Sequence, residues 1–285
     1  MMCRLLAYLG TPVTIDQLIF EPRNSLVKQS YAAKEIEEPL NGDGFGIGFY
    51  TSKRPEQPAV FVSTTPAWSN RNLRSIAPNI ESTCVYAHVR AASVGDISEA
   101  NCHPFQFGRY LGMHNGSIGG FSSIKRKVRA SLSDELYTWV RGQTDSEHFV
   151  ALVVERLRTY KPKQLTIDKL ADAIEEALGF VKKLQKSAKV KEETYLNFVF
   201  TDGERMIACR YSDDDEPLSL YYSEGARYVC ENGVCRMVPA KDGEHSVLIV
   251  SEKLTDLRDD FRPVPKNHMV LVDRDRTVKL RDMKV

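Results

Sequence analysis

The sequence predicts an α+β fold, and three observations predict it. Short apolar runs separated by glycine turns fill the first part of the chain, to about residue 121. Helical periodicity takes over between residues 133 and 188, and strand patterns return from residue 195 onward. The early strands are expected over 3–8, 46–51, 59–63, 83–90 and 110–114, with short helices over 15–20, 25–30 and 71–76. The middle helices are expected over 133–141, 144–159 and 166–188. The second of these opens on Thr144-Asp145-Ser146-Glu147, a capping box in which Thr144 and Glu147 would satisfy each other's backbone donors. Its apolar positions Phe149, Leu152, Val153 and Leu157 keep helical spacing, and the charged stretch from Lys182 to Glu193 reads as a solvated helix end plus loop. The late strands are expected over 195–201, 206–211, 218–222, 246–251 and 269–272, with a hairpin over 228–238. No repeat, low-complexity tract or flexible linker divides the chain, so one domain over 1–285 is expected, its late strands completing sheets begun early.

Composition narrows the function. A chain of 285 residues that is 42% hydrophobic and 27% charged has the balance of an ordinary soluble globular protein. A formal net charge of +1 argues against a dedicated nucleic-acid binder. The longest apolar run near the C-terminus, Val247-Leu248-Ile249-Val250, is far short of the ~18 residues that span a bilayer. Without a visible secretory signal, a soluble cytoplasmic protein is expected, with no nucleic-acid or membrane partner. Six cysteines lie at 3, 84, 102, 209, 230 and 235. Cys230 and Cys235 face each other across the hairpin, two positions out from its Asn232-Gly233 turn. A cross-strand disulfide or half of a metal site is conceivable there, but two free thiols are expected in a reducing compartment.

Cys3 carries the chemistry if the residues before it are removed, because an N-terminal cysteine joins a thiol nucleophile to a free α-amine that can act as its base. Tyr86, His88 and Arg90 share one face of a strand by its two-residue period, and Asn101-Cys102-His103-Pro104-Phe105 follows. The strand after that ends in His114-Asn115-Gly116. An amide hydrolase needs donors for the oxyanion of a tetrahedral intermediate, and the Asn115 side chain with the Gly116 N–H offers two. The guanidinium of Arg90 suits a carboxylate, and Asp145 suits an ammonium. The glycines of Asn41-Gly42-Asp43-Gly44-Phe45-Gly46 allow close backbone approach. Singly, each residue has an ordinary structural reading. Asn115-Gly116 alone is a hairpin turn signal, Asp145 alone a first-turn acid, and His88 and His114 packed, hydrogen-bonded histidines. Cys84, His88, Cys102, His103 and His114 match no familiar ligand spacing, so no metal is expected.

In that order, Cys3-Arg4-Leu5-Leu6, the Gly-Asp-Gly segment, Arg90, His103-Pro104, His114-Asn115-Gly116 and Thr144-Asp145-Ser146-Glu147 resemble class II glutamine amidotransferase domains. Thr65-Pro66-Ala67-Trp68-Ser69-Asn70-Arg71-Asn72-Leu73 and Asn101-Cys102-His103-Pro104-Phe105 are similar to the stand-alone group. That group includes the amidotransferase-like subunit of a fungal glutathione-degradation complex and bacterial γ-glutamyl hydrolases. The resemblance implies an N-terminal-nucleophile hydrolase, a four-layer αββα sandwich of two mainly antiparallel sheets flanked by helices. It implies Cys3 as nucleophile, Asn115 and Gly116 as the oxyanion hole, and Arg90 and Asp145 as holders of the α-carboxylate and α-amine of a γ-glutamyl group. Ser93 and His103 would support the substrate, and no cofactor is implied. The implied substrate is glutamine or a γ-glutamyl small molecule, cleaved through a thioester to release glutamate. Ala91 departs from the pattern, since the large synthases carry a bulky aromatic after the arginine. A protein partner that takes the ammonia is an alternative, as is a silent binding or regulatory subunit should Met1-Met2 persist. Met2 is expected to be the initiator.

Overall fold

In β1 (Arg4–Thr14), Leu5, Ala7 and Leu9 turn to one face and Leu6 and Tyr8 to the other, and all are buried. A strand apolar on both faces needs a layer above and a layer below. The computed structural model supplies both; it describes residues 3–35, 40–92, 95–161, 164–231, 233–239, 244–257 and 260–285.

The chain continues through α1 (Ile15–Ile19) and α2 (Leu26–Ala32), the latter begun where Ser25 Oγ accepts the Lys28 N–H. The hairpin of β2 (Phe45–Thr51) and β3 (Arg54–Ser63) precedes α3 (Arg71–Ile76), which is capped by Asn70. β4 (Glu81–Val89) then pairs antiparallel with both β1 and β2. β5 (Phe105–Phe107) and β6 (Tyr110–Ser117) open a second sheet. Four helices follow: α4 (Phe121–Ala130), α5 (Asp134–Trp139), α6 (Asp145–Leu157) and α7 (Ile167–Ala188). β7 (Tyr195–Thr201) and β8 (Met206–Ser212) extend the second sheet, and β9 (Tyr221–Gly225) returns to the first. The hairpin of β10 (Arg227–Glu231) and β11 (Val234–Val238) pairs with neither sheet but packs on the outer face of the first through Tyr228 and Cys235. β12 (Ser246–Val250) and β13 (Arg262–Pro263) join the first sheet, β14 (His268–Val272) and β15 (Val278–Asp282) the second.

The first sheet runs β13-β9-β12-β1-β4-β2-β3 and the second β15-β14-β8-β7-β6-β5, every pairing antiparallel. Three buried clusters make the layers. Leu5, Ala7, Tyr86, Met113, Val199 and Ile249 lie between the sheets. Ile15, Leu18, Leu26 and Leu73 cover the outer face of the first sheet, and Ile124, Phe149, Leu152 and Ile174 that of the second. This is the expected four-layer αββα sandwich. No helix among the described residues is long and apolar enough to cross a membrane.

Three expectations about these elements need correction, and one helix had no expectation. The strand expected over 218–222 begins at Tyr221, because the Pro217 and Leu218 carbonyls accept from the Arg210 guanidinium. The capping box is half formed. Thr144 Oγ1 accepts from the Glu147 N–H, but the Glu147 carboxylate accepts from Arg141 and Gly142 instead of Thr144. α4 was not expected, its only buried apolar positions being Phe121, Ile124 and Val128 amid basic residues. Cys230 and Cys235, direct partners in the hairpin register with Cα atoms 4.0 Å apart, form a disulfide rather than two free thiols. The turn residue Asn232 lies outside the described residues.

Candidate functional site

Cys3 precedes β1 at the open end of the layer between the sheets, sharing the side of Leu5 and Ala7 by strand alternation. Its Sγ accepts from the Ala91 N–H at 3.4 Å, where β4 has just ended. Behind it, Arg4 is buried and its Nε donates to Glu252 Oε2 at 3.1 Å, while Nη1 donates to the Cys3 carbonyl at 3.1 Å. The Glu252 carboxylate also accepts from Asn24 Nδ2 and the N–H groups of Lys34 and Glu35. Burial pushes the Cys3 thiol pKa up, against the Ala91 N–H and the positive charges of Arg90 and Arg4, which pull it down.

The glycine-rich segment brackets Arg90. The Arg90 N–H donates to the Gly44 carbonyl, the Asp43 N–H donates to the Arg90 carbonyl, and Asp43 Oδ2 accepts from the Ala92 N–H at 2.7 Å. Gly44 has φ +117°, and a Cβ on Gly46 would lie 2.1 Å from the His103 carbonyl oxygen. The glycines are therefore required where the sequence placed them. The Arg90 guanidinium is buried and donates to the Asp96 and Gly95 carbonyls.

On the facing sheet, β6 turns Leu111, Met113 and Asn115 toward the same layer. Asn115 is 1% exposed, yet neither its Oδ1 nor its Nδ2 has a hydrogen-bond partner. Native proteins rarely leave both ends of a buried amide unpaired. Gly116 follows with φ +149°, where a Cβ would meet the Tyr195 carbonyl at 2.0 Å. His114 points to the other side, its ring bonded to Ser146 Oγ and the Tyr195 carbonyl. Asp145 starts α6 and fixes the end of β6, its Oδ2 accepting from the Ile118 N–H at 2.7 Å. It opens on a cleft of about 590 Å³ lined also by Gly95, Ser117, Gly119, Phe121 and Gln143. Gly95 thus touches both the Arg90 guanidinium and the Asp145 cleft.

His103 stacks on His88, ring centroids 4.1 Å apart, both buried. Desolvation lowers the His88 pKa to about 3, opposed by the nearby His114 backbone, and the His103 pKa falls well below its ordinary value for the same first cause. Neither ring reaches hydrogen-bond geometry with a partner, so the expectation of a hydrogen-bonded His88 is not met. Ser93 lies outside the described residues, as do Met1 and Met2. Among the described residues, the one cluster of three possible metal-ligating side chains is Glu21 with Cys230 and Cys235, whose sulfurs are bonded to each other.

Two residues that the sequence reading passed over belong to this neighbourhood. Glu252 anchors Arg4 across 248 positions, and its only sequence signal is an acid directly beyond an apolar strand. Asn197 is the direct partner of Asn115 on β7 and faces the same layer as Val199.

Two packed antiparallel sheets flanked by helices, with Cys3 just ahead of the central strand β1, give the chain the fold of the N-terminal-nucleophile hydrolase type. Residues 2–220 match the family Glutamine amidotransferases class-II, and the chain belongs to it. It is 34% identical over 293 residues to the probable glutamine amidotransferase DUG3 of Saccharomyces cerevisiae, covering 96% of this chain and 82% of that protein. It is 37% identical over 119 residues to the γ-glutamyl-hercynylcysteine sulfoxide hydrolase of Mycobacterium tuberculosis, 41% of this chain and 50% of that one. The fold is also that of a glutamine aminotransferase class-II domain protein of Silicibacter pomeroyi, with TM-score 0.66 at 24% identity over 99% of this chain and 100% of that chain. Membership makes the protein an enzyme of the glutamine amidotransferase type.

Proposed function

We propose that the enzyme, read as a single domain, hydrolyses the γ-glutamyl amide bond of glutamine or a γ-glutamyl small molecule through a thioester on Cys3. The Cys3 sulfur attacks the γ-carbonyl carbon, its proton passing to the α-amine freed by removal of Met1 and Met2. The carbonyl oxygen becomes an oxyanion that Asn115 Nδ2 and the Gly116 N–H receive. The C–N bond breaks as the α-ammonium returns the proton to the leaving nitrogen. Water then attacks the thioester, releasing glutamate and the thiol. Arg90 takes the α-carboxylate and Asp145 the α-ammonium, with Ser93 and His103 in support. The observation that carries this reading is the buried, unpartnered Asn115 amide beside the layer that holds Cys3.

The substrate class extends beyond glutamine because one relative is named for a γ-glutamyl sulfoxide. A panel of γ-glutamyl amides tests the reading, with the acyl-enzyme trapped as a mass increase on the peptide that begins at Cys3. Glutamate release with no such adduct would end it. Running the panel with and without co-purifying proteins separates hydrolysis in its own right from ammonia supply to a partner. An intact mass that retains Met1 and Met2 would favour a silent regulatory subunit.

A further inference from the structure

Asn197 is 1% exposed on β7, directly opposite Asn115 on β6. Leu196, Phe198 and Phe200 face the helices, whereas Val199 faces the opposing sheet, so alternation turns Asn197 toward the layer of Cys3 and Asn115. Its orientation is fixed at one end, since Nδ2 donates to the Ser219 carbonyl at 2.8 Å. Ser219 is itself tied toward the nucleophile. Its Oγ donates to the Ser251 carbonyl at 2.7 Å, and Ser251 Oγ accepts from the Leu5 N–H. With Nδ2 held, Oδ1 is a buried acceptor of set direction, and it has no hydrogen-bond partner.

The two facing asparagines therefore present a donor and an acceptor that the protein leaves unused. Directly opposed residues on neighbouring strands stand about 5 Å apart at Cβ, so one small planar group reaches both. That group must offer an acceptor and an N–H on adjacent atoms. An amide does so, with its carbonyl oxygen toward Asn115 Nδ2 and its N–H toward Asn197 Oδ1. An ester offers the first and replaces the second with an oxygen that repels Oδ1.

We infer that Asn197 contacts the substrate and selects amides, its Oδ1 accepting a hydrogen bond from the N–H of the scissile bond and then from the leaving amine. No proton is transferred to it. The inference rests on the reading of Cys3 and Asn115 given above, and deepens it by assigning the leaving-group nitrogen a contact.

The test compares glutamine with glutamate γ-methyl ester in the wild type, Asn197→Ala and Asn197→Ser. Loss of the Nδ2 bond to Ser219 affects both substrates alike and cancels in their ratio. The amide-to-ester ratio of kcat/KM is expected to fall about tenfold or more in either variant, the usual effect of leaving a buried polar group unpaired. Equal losses on both substrates would mean that Asn197 only holds Ser219, and the inference would be overturned. An unchanged ratio with a displaced pH profile would overturn it too, in favour of a contact to the α-amine, and no effect at all would do the same. Binding of the same two compounds to Cys3→Ala, with and without Asn197→Ala, gives the ratio without turnover. If the wild type hydrolyses neither compound but the binding ratio still falls, the hydrolase reading fails and the Asn197 contact stands.

Discussion

Replacing Arg4 with methionine removes one charge of a buried pair and keeps most of the apolar stem. In the wild type, Arg4 and Glu252 are each 1% exposed and 3.1 Å apart. Breaking a buried ion pair from one side costs about 3–5 kcal/mol, because the remaining charge stays out of water. Here the stranded carboxylate keeps Asn24 Nδ2 and the N–H groups of Lys34 and Glu35, which places the loss near the lower end. A chain of 285 residues unfolds with an entropy of about 0.6 kcal/mol per degree, so a loss of about 3 kcal/mol lowers Tm by about 5 °C. Glu252→Gln should cost more, since the Arg4 guanidinium is then left with the Cys3 carbonyl. The double variant should cost at least about 1 kcal/mol less than the two singles added, as contacting residues do. Calorimetry on the four proteins measures this cycle. Strict additivity, or a single Arg4→Met melting within a degree of wild type, would show that the pair does not hold β1 in place.

Further outcomes follow from the same geometry. Cys3→Ala should abolish glutamate release while leaving Tm within a degree or two; retained glutaminase activity would remove Cys3 from the mechanism. With its pKa raised by burial, Cys3 should react with iodoacetamide at a rate still rising above pH 9, and Arg90→Met should move that rise further up. A plateau near pH 8 would contradict it. His88, held at about 3, and His148, lowered by burial to about 4, are neutral when folded but take up protons at their ordinary values when unfolded. The unfolded state therefore binds more protons below about pH 6.5, and the stability present above that value is lost as pH falls toward 3–4. At pH 4.5 this is about 2–3 kcal/mol for His88, read as a lower urea midpoint, and His88→Leu should show a smaller drop. Gly46→Ala places a Cβ 2.1 Å from the His103 carbonyl and should destabilise by several kcal/mol; a variant as stable as wild type would show that the strand can shift.

Much of this was legible because the relevant signals are local. The apolar runs of β1, β2, β4 and β7 and the helices α3 and α7 declare themselves within a few residues. So do the glycines that let Gly44 and Gly46 approach Ser63 and His103. Residue type and order single out Arg90 and Asn115 as candidates, and alternation with Tyr86 and Met113 turns both toward the layer between the sheets. What stayed hidden depends on partners distant in sequence. Nothing near Glu252 announces Arg4, and nothing near Asn197 announces Asn115, because strand pairing alone makes them neighbours. β15 escaped notice for another reason: its residues are partly or fully exposed and show no apolar run.

The pairing of Arg4 with Glu252 has a consequence for synthesis. β1 leaves the ribosome well before its neighbour β12 and its counter-ion, which emerge only when residues 246–252 have been made. Until then its edge has no β12 to pair with, and β1 cannot take its final place in the sheet. Closure of the first sheet around β1 is thereby deferred by the length of chain between Arg4 and Glu252.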